Sequence, residues 1–234
     1  MNKLALIAVT GLGVSAACIG IGAALGGRFG GLEPFDGKPG CATVAGGAAS
    51  RDLPWDGSDS VQLVVFSDAH YAPGADAMLH ASGDPQVLAH LRVRNGKVEL
   101  DCRGWRDRDQ IKLTLPGREF RKFAIAGRSD LTLDRMNQAS AKIEIAGTGT
   151  IRAAGKIDDL SIQIAGLGHA DFARVASRNA KVDLAGVATA DIAPTDSARI
   201  RIAGPSTVNL HSNPKDLDTS IAGPGHLNKL NPAG

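Results

Sequence analysis

Basic and aromatic side chains are concentrated in one short stretch, CRGWRDRD at residues 102–109. The wider segment 92–128 holds eleven Lys/Arg against five Asp/Glu, so positive charge is concentrated here. Arginines beside an exposed aromatic ring can bind carboxylates, phosphates or the faces of sugar rings. The alternative is a mixed-charge loop, because two aspartates interleave with the arginines. The candidate ligand-binding residues are Arg103, Trp105, Arg106 and Arg108.

Three histidines, His70, His80 and His90, recur at intervals of ten residues. Zinc sites usually bring their ligands closer together in sequence or add cysteines. We therefore predict solvated or locally hydrogen-bonded histidines, with no metal and no cofactor. The chain also lacks a nucleophile motif, a phosphate-binding loop and a Cys/His metal quartet, so we predict that it is not an enzyme.

The first 27 residues read as a targeting segment. Residues 4–27 carry no charge, and a transmembrane helix needs about 20 apolar residues. Residues 1–27 are therefore a signal anchor or a cleaved signal peptide. A lipoprotein attached through Cys18 is a third alternative. Each one exports the rest of the chain, and the anchor would hold it in the inner membrane, facing the periplasm or the cell surface.

Export affects the interpretation of the cysteines, because oxidising compartments permit disulfides. Cys18 lies in the apolar segment, which leaves Cys41 and Cys102 as a candidate disulfide pair. Two buried free thiols are the alternative, and sequence cannot decide between them because it does not place the Cα atoms. Export also argues against nucleic acid as a partner.

A five-residue motif, apolar-x-apolar-Ala-Gly, occurs six times in the second half of the chain. Its glycines are 18 to 20 residues apart, and a near-constant period marks a stacked repeat architecture. The apolar spacing of two is typical of strands with one buried face, and the frequent glycines disfavour helices. The six glycines are Gly127, Gly147, Gly166, Gly186, Gly204 and Gly223.

The repeat predicts an all-β fold, a single-stranded β-helix or solenoid of about six coils of 18–20 residues. No coil can bury its own apolar face, so each coil forms the core of the next. Two acids, Asp171 and Asp191, occupy the same place in their coils and alternate with inward apolar residues. We predict that they form a solvated outer stripe.

An antiparallel hairpin region should precede the coils. Segments 61–66, 87–94, 97–102 and 110–115 read as strands, and Asn95-Gly96 between the middle two is a strong hairpin signal. Residues 28–40, with four glycines and two prolines, read as a flexible stalk. Residues 41–234 then form one β-helical head domain.

This order of features resembles the head GIN domain family of auto-transporter adhesins over residues 41–230. The resemblance is carried by order and period, and it implies a β-helical domain on the bacterial envelope. It transfers no catalytic residues. The motifs that carry it are IKLTLPG at 111–117, IAGTGTI at 145–151, IAGLGHADF at 164–172 and IAGPSTVNL at 202–210.

Taken together, these features predict a non-catalytic envelope protein that binds or scaffolds. It would attach to the membrane through its N-terminal segment and contact an anionic glycan, a lipid or an envelope protein. Two alternatives remain. One is a polysaccharide-active enzyme on a β-helix, which needs converging acids and bases in a groove. The other is a structural solenoid that assembles end to end.

Overall fold

A computed structural model describes residues 47–102 and 110–230 of the 234-residue chain. The predicted targeting segment and stalk therefore lie outside the described residues. Among those that are described, no helix is both long and apolar enough to cross a membrane.

The fold is all-β, with a single short helix in the described part of the chain. The strands form one 13-stranded sheet that wraps around a continuous apolar core. The elements, in chain order, are β1 (Ala49–Pro54), β2 (Ser60–Leu63), β3 (Ser67–Tyr71), β4 (Met78–Gly83), α1 (Pro85–Ala89), β5 (Leu91–Arg94), β6 (Lys97–Leu100), β7 (Ile111–Thr114), β8 (Lys122–Ile125), β9 (Arg128–Ile145), β10 (Thr148–Ala203), β11 (Thr207–Leu210), β12 (Asp216–Ala222) and β13 (His226–Lys229).

Strands from β8 onward pair in parallel with the segment one period away. Between β8 and β9, Lys122 pairs with Lys142. Between β10 and β12, Ile200 pairs with Thr219, and between β10 and β11, Thr189 pairs with Thr207. These partners are separated by the same intervals as the motif glycines. The repeat period of the sequence therefore equals the number of residues between hydrogen-bonded partners on neighbouring strands.

Equivalent apolar residues stack on one another inside this sheet. Ile143, Ile162, Val182 and Ile200 are each 0% exposed, although they come from successive copies of the motif. Period-two alternation places them all on the inner face, as the sequence indicated. Each such column removes branched side chains from water, which stabilises a fold by about 25 cal/mol per Å² of apolar surface.

The Ala-Gly corners bring the backbones of neighbouring copies very close together. A Cβ atom added at Gly166 would lie 2.5 Å from the carbonyl oxygen of Gly147. Gly186 adds a second requirement, since its φ of 120° lies in a region that other residues rarely adopt. Glycine is therefore required at these corners by close packing and, at Gly186, by conformation as well.

The region before the repeat combines parallel and antiparallel pairing. β5 and β6 form the predicted hairpin, with Asn95 at φ 52° and Gly96 at φ 71°, as a tight two-residue turn requires. β1 pairs antiparallel with β4, which pairs antiparallel with β7, and neither β1 nor β4 was predicted. β2 and β3 instead join the parallel ladders of β8 and β9.

The prediction of a strand over 87–94 was wrong in its first half. Residues Pro85–Ala89 form helix α1, and only Leu91–Arg94 is a strand. The Asp84 side chain accepts hydrogen bonds from the amides of Gln86 and Val87, which caps the helix N-terminus. Pro85 occupies the first turn, where its missing N–H costs nothing.

Candidate functional site

The residues predicted to bind a ligand are not placed by the structure. Arg103, Trp105, Arg106 and Arg108 lie outside the described residues, as does Cys41. Their role stays a prediction.

Cys102 is 7% exposed and disulfide-bonded, with a partner that lies outside the described residues. Of the two alternatives for this cysteine, the free thiol is therefore wrong, and pairing with Cys41 remains a prediction.

The described residues form a long groove on the outer surface of the parallel strands. Its volume is about 680 Å³, within the range of small-molecule binding sites. We call it the strand groove. It runs from the residue before β8 to β12, with one residue from the first period, Arg121, and three neighbouring residues from each of the next five periods. The residues lining it are Arg121, Ser140, Ala141, Lys142, Asp159, Leu160, Ser161, Asn179, Ala180, Lys181, Ser197, Ala198, Arg199, Asp216, Leu217 and Asp218.

The floor of the strand groove follows one stacked column of residues whose side chains turn inward to the apolar core. Ala141, Ala180 and Ala198 are 2–4% exposed, and Leu160 lies in the same column. The alternating positions on either side carry longer polar side chains, which form the walls. The register of the sheet therefore aligns inward-facing Ala and Leu residues from separate periods along the floor, with outward polar residues on both sides.

A hydrogen-bonded polar column forms one wall. The Asn179 side-chain amide donates to the Asp159 carboxylate at 2.8 Å, and the Ser197 hydroxyl donates to the Asn179 carbonyl oxygen at 2.8 Å. These contacts join three successive periods. Because each partner is held by the next, the wall presents fixed donors and acceptors to the groove.

Positive charges with acidic partners form the opposite wall. Arg199 contacts Asp218 at 3.1 Å, and Lys181 lies 3.4 Å from Asp183. The lining contains four Lys/Arg and three Asp, so its net charge is close to neutral. Such a surface favours a polar ligand that is uncharged or weakly anionic over a polyanion.

A buried ion pair supports the end of the groove near β8. The Glu144 side chain is 3% exposed, and its two carboxylate oxygens each lie 2.7 Å from a lysine Nζ, those of Lys122 and Lys142. A buried carboxylate is costly unless it is paired. Glu144 therefore fixes the position of Lys142 in the groove lining.

The histidines of the first region are each hydrogen-bonded to an aspartate, and the bonds of His70 and His90 are not to near neighbours in sequence. His70 lies 2.9 Å from Asp134, and His90 lies 2.8 Å from Asp101. Neither partner is close in sequence, so the ten-residue spacing of the histidines has no common structural origin.

His80 is held between two carboxylates. Its ring nitrogens lie 2.7 Å from Asp52 and 2.6 Å from Asp76. The hydrogen bond with Asp52, followed by the one with Asp76, raises the pKa of His80 above its ordinary value. All three side chains are about half exposed, so this is a solvent-facing charge cluster.

The predicted solvated stripe is wrong at Asp191. Its side chain is only 15% exposed and accepts hydrogen bonds from His169 at 2.8 Å, His211 at 2.9 Å and Asn209 at 3.0 Å. Partial burial raises the pKa of Asp191, but the hydrogen bonds from His211, His169 and Asn209 outweigh it and hold the pKa below its ordinary value. Asp171, which occupies the equivalent position one period earlier, is half-buried.

Within residues 47–102 and 110–230, no group of three or more His, Cys, Asp or Glu residues could hold a metal ion. What the described part of the chain does assemble is a groove suited to binding.

Sequence reasoning did not find the strand groove. Its signal was present as alanines at the first inward position of several copies, for example Ala141 before Ile143 and Ala180 before Val182. Aligning the copies by their glycines would have put these alanines in one column. The sequence pattern was used to predict only the Ile and Val columns that build the core.

Comparison with solved structures supports the fold. A crystal structure of a "putative adhesin" from Bacteroides fragilis matches with a TM-score of 0.60 and 14% identity, over 79% of this chain and 97% of that one. A second "putative adhesin", from Parabacteroides distasonis, gives 0.50 at 13% identity, over 80% and 98%. At this identity the similarity shows the fold alone. No curated protein matches the chain.

The family itself is shown by the sequence. The profile described as "Putative auto-transporter adhesin, head GIN domain" matches residues 74–214, which is more than half of the chain. The match spans the region from β4 to β11 and includes most of the strand groove. The chain therefore belongs to the head GIN domain family that this profile describes.

Proposed function

We propose that this chain is a non-catalytic binding protein of the bacterial envelope, which holds an extended glycan along the strand groove. Its head is a single-stranded β-helix of about six coils, displayed outside the cytoplasm and anchored in the inner membrane by residues 4–27. Family membership supports a binding role, and the uncharged N-terminal run supports export. The observation that carries the proposal is the groove.

The shape of the groove suits a chain-like ligand. Its lining residues recur in six successive periods, from Arg121 to Asp218. Five intervals between neighbouring strands, at about 4.8 Å each, give a length of about 24 Å. A linear glycan fits such a site better than a compact metabolite, because its own repeats can meet the same side chains several times.

The chemistry of the groove suits hydroxyl groups. Ser140, Ser161, Asn179 and Ser197 offer donors and acceptors along its length, and the charges beside them nearly cancel. A hydroxyl-rich ligand with an occasional carboxylate can bond to all of them. A membrane of anionic lipid would instead require an unbalanced positive surface.

The test is binding of the full chain to an array of envelope glycans, with vesicles of anionic lipid as a second arm. The double variant Lys181→Ala/Arg199→Ala removes two exposed groove cations. The matched control Arg152→Ala/Arg174→Ala removes two exposed arginines outside the groove. We expect at least tenfold weaker glycan binding for the groove variant and unchanged binding for the control.

A steric variant separates shape from charge. Ser161→Trp places a bulky ring in the middle of the groove lining and should weaken glycan binding at least tenfold without changing net charge. Equal loss in the control double variant would contradict groove binding, as would binding only to lipid vesicles. Shortened glycan products after incubation would contradict a non-catalytic role.

A further inference from the structure

Strand β12 has one unpaired edge in the described part of the chain. Its seven residues, Asp216–Ala222, pair in parallel with residues 197–203 of β10. No other strand of residues 47–102 and 110–230 pairs with it. An unpaired strand edge presents backbone N–H and C=O groups that can bond to another strand.

The inner face of β12 is exposed as well. Ile221 is 43% exposed, whereas Ile202, its partner in β10, is 1% exposed. Thr219 is exposed where its partner Ile200 is fully buried. Leu230, just after β13, is also exposed, by 44%. The apolar core is therefore open at this end of the sheet.

At the other end of the sheet, β1 and β5 each pair with only one of the described strands, but the apolar core is covered. Helix α1 buries Val87 and Leu88 against the core next to β1. The Arg51 guanidinium of β1 donates hydrogen bonds to the carbonyl oxygens of Leu88, Ala89 and Leu91, which ties β1 to the helix and to β5. Head-to-tail assembly needs two open ends, so a contact that uses the same end of both copies is favoured.

We propose that β12 pairs with β12 of a second copy, antiparallel and across a two-fold axis at Thr219. This register places Leu217 opposite Ile221 of the second copy on the inner face, and each Thr219 opposite its counterpart. The two open cores then cover each other. Branched and aliphatic side chains directly opposite one another are stabilising cross-strand pairs.

The charges of β12 are compatible with the same register. Asp218 lies opposite Ser220 of the second copy, and Asp216 lies opposite Ala222. No carboxylate faces another directly, although β12 carries two aspartates. Like charges directly opposite would destabilise the pair, so the acidic residues are compatible with this self-pairing.

The first test is sedimentation equilibrium of the full chain in density-matched detergent, which its apolar residues 4–27 call for. We expect a species of twice 24.1 kDa at high concentration. Ile221→Lys puts a charge into the joined core and should weaken dimerisation at least tenfold. The matched control Leu167→Lys makes the same change at a site that is 56% exposed and lies on a corner away from β12.

The second test fixes the register and does not depend on the Ile221 variant folding. Thr219→Cys places two thiols at the two-fold axis, and mild oxidation should link two copies in high yield. Thr195→Cys, at another exposed threonine, is the control and should link no more than the wild type does.

Four results would overturn the proposal. They are a monomeric wild type at every concentration, a dimer that Ile221→Lys leaves intact, species that grow beyond the dimer, and equal linkage of the two cysteine variants. A monomer whose β12 amides are protected from hydrogen exchange would show that another segment of the same chain covers the edge.

Discussion

Replacing Gly166 by alanine tests the close stacking of the corners. The added Cβ would lie 2.5 Å from the Gly147 carbonyl oxygen, well inside the 3.0 Å limit that real Cβ atoms respect. The obstacle is backbone, so it cannot rotate away as a flexible side chain would. The same carbonyl oxygen accepts a hydrogen bond from the Leu167 amide at 3.1 Å.

The cost follows from these two contacts. Overpacking a rigid interior costs about 1–3 kcal/mol. Moving the carbonyl far enough also weakens its hydrogen bond with Leu167, worth about 1 kcal/mol. We therefore expect Gly166→Ala to lower the free energy of unfolding by about 2–4 kcal/mol, equivalent to about 5–15 °C in Tm for a domain of this size.

The assay is urea unfolding of the full chain followed by far-ultraviolet circular dichroism. Gly74→Ala is the matched control, since a Cβ at Gly74 would meet nothing within 4 Å and its φ lies outside the left-handed region. There, alanine restricts the unfolded chain and should stabilise by about 0.4–1 kcal/mol. A Gly166→Ala variant as stable as the wild type, to within the roughly 0.5 kcal/mol typical of surface substitutions, would refute the close approach of the corners.

Two further predictions concern buried carboxylates. Glu144→Gln should destabilise the protein by about 1–2 kcal/mol in urea unfolding, because two partly exposed lysines lose a buried counter-ion. The control Asp218→Asn breaks an exposed ion pair and should change stability by less than about 0.5 kcal/mol. The folded-state pKa of Asp191 is depressed, so its contribution is present above the unfolded pKa of about 3.9 and is lost as pH falls through the folded value. Asp191→Asn should therefore be less stable at pH 7 and lose less stability than the wild type between pH 5 and pH 3; equal losses would contradict this.

The repeat was predictable because one physical rule governs every copy. Period-two alternation with a fixed period assigns residues such as Ile162 and Ile164 to the core without knowledge of the neighbouring strands. Both are 0% exposed. The Asn-Gly hairpin was predictable for a similar reason, since two adjacent residues determine its turn.

The remaining features depend on contacts that are distant in sequence. His70 meets Asp134 across 64 residues, and His169 meets Asp191 across 22, so neither pair leaves a local signal. Helix α1 did have a local signal, the Asp84 cap before a proline. This signal was outweighed by the apolar residues that follow, because the pattern of VLAHLRV is compatible with a strand as well as with a short helix.

The repeated lining of the strand groove has a consequence for how the ligand proposed above could change. Because each period adds one inward residue to the floor and polar residues to the walls, duplicating a period would lengthen the groove by one strand spacing, about 4.8 Å. Removing a period shortens it by the same amount, and the chemistry of each step is unaltered. For the extended ligand proposed above, the number of periods would set the length that is bound, and single outward side chains such as Ser161 would set the chemical specificity.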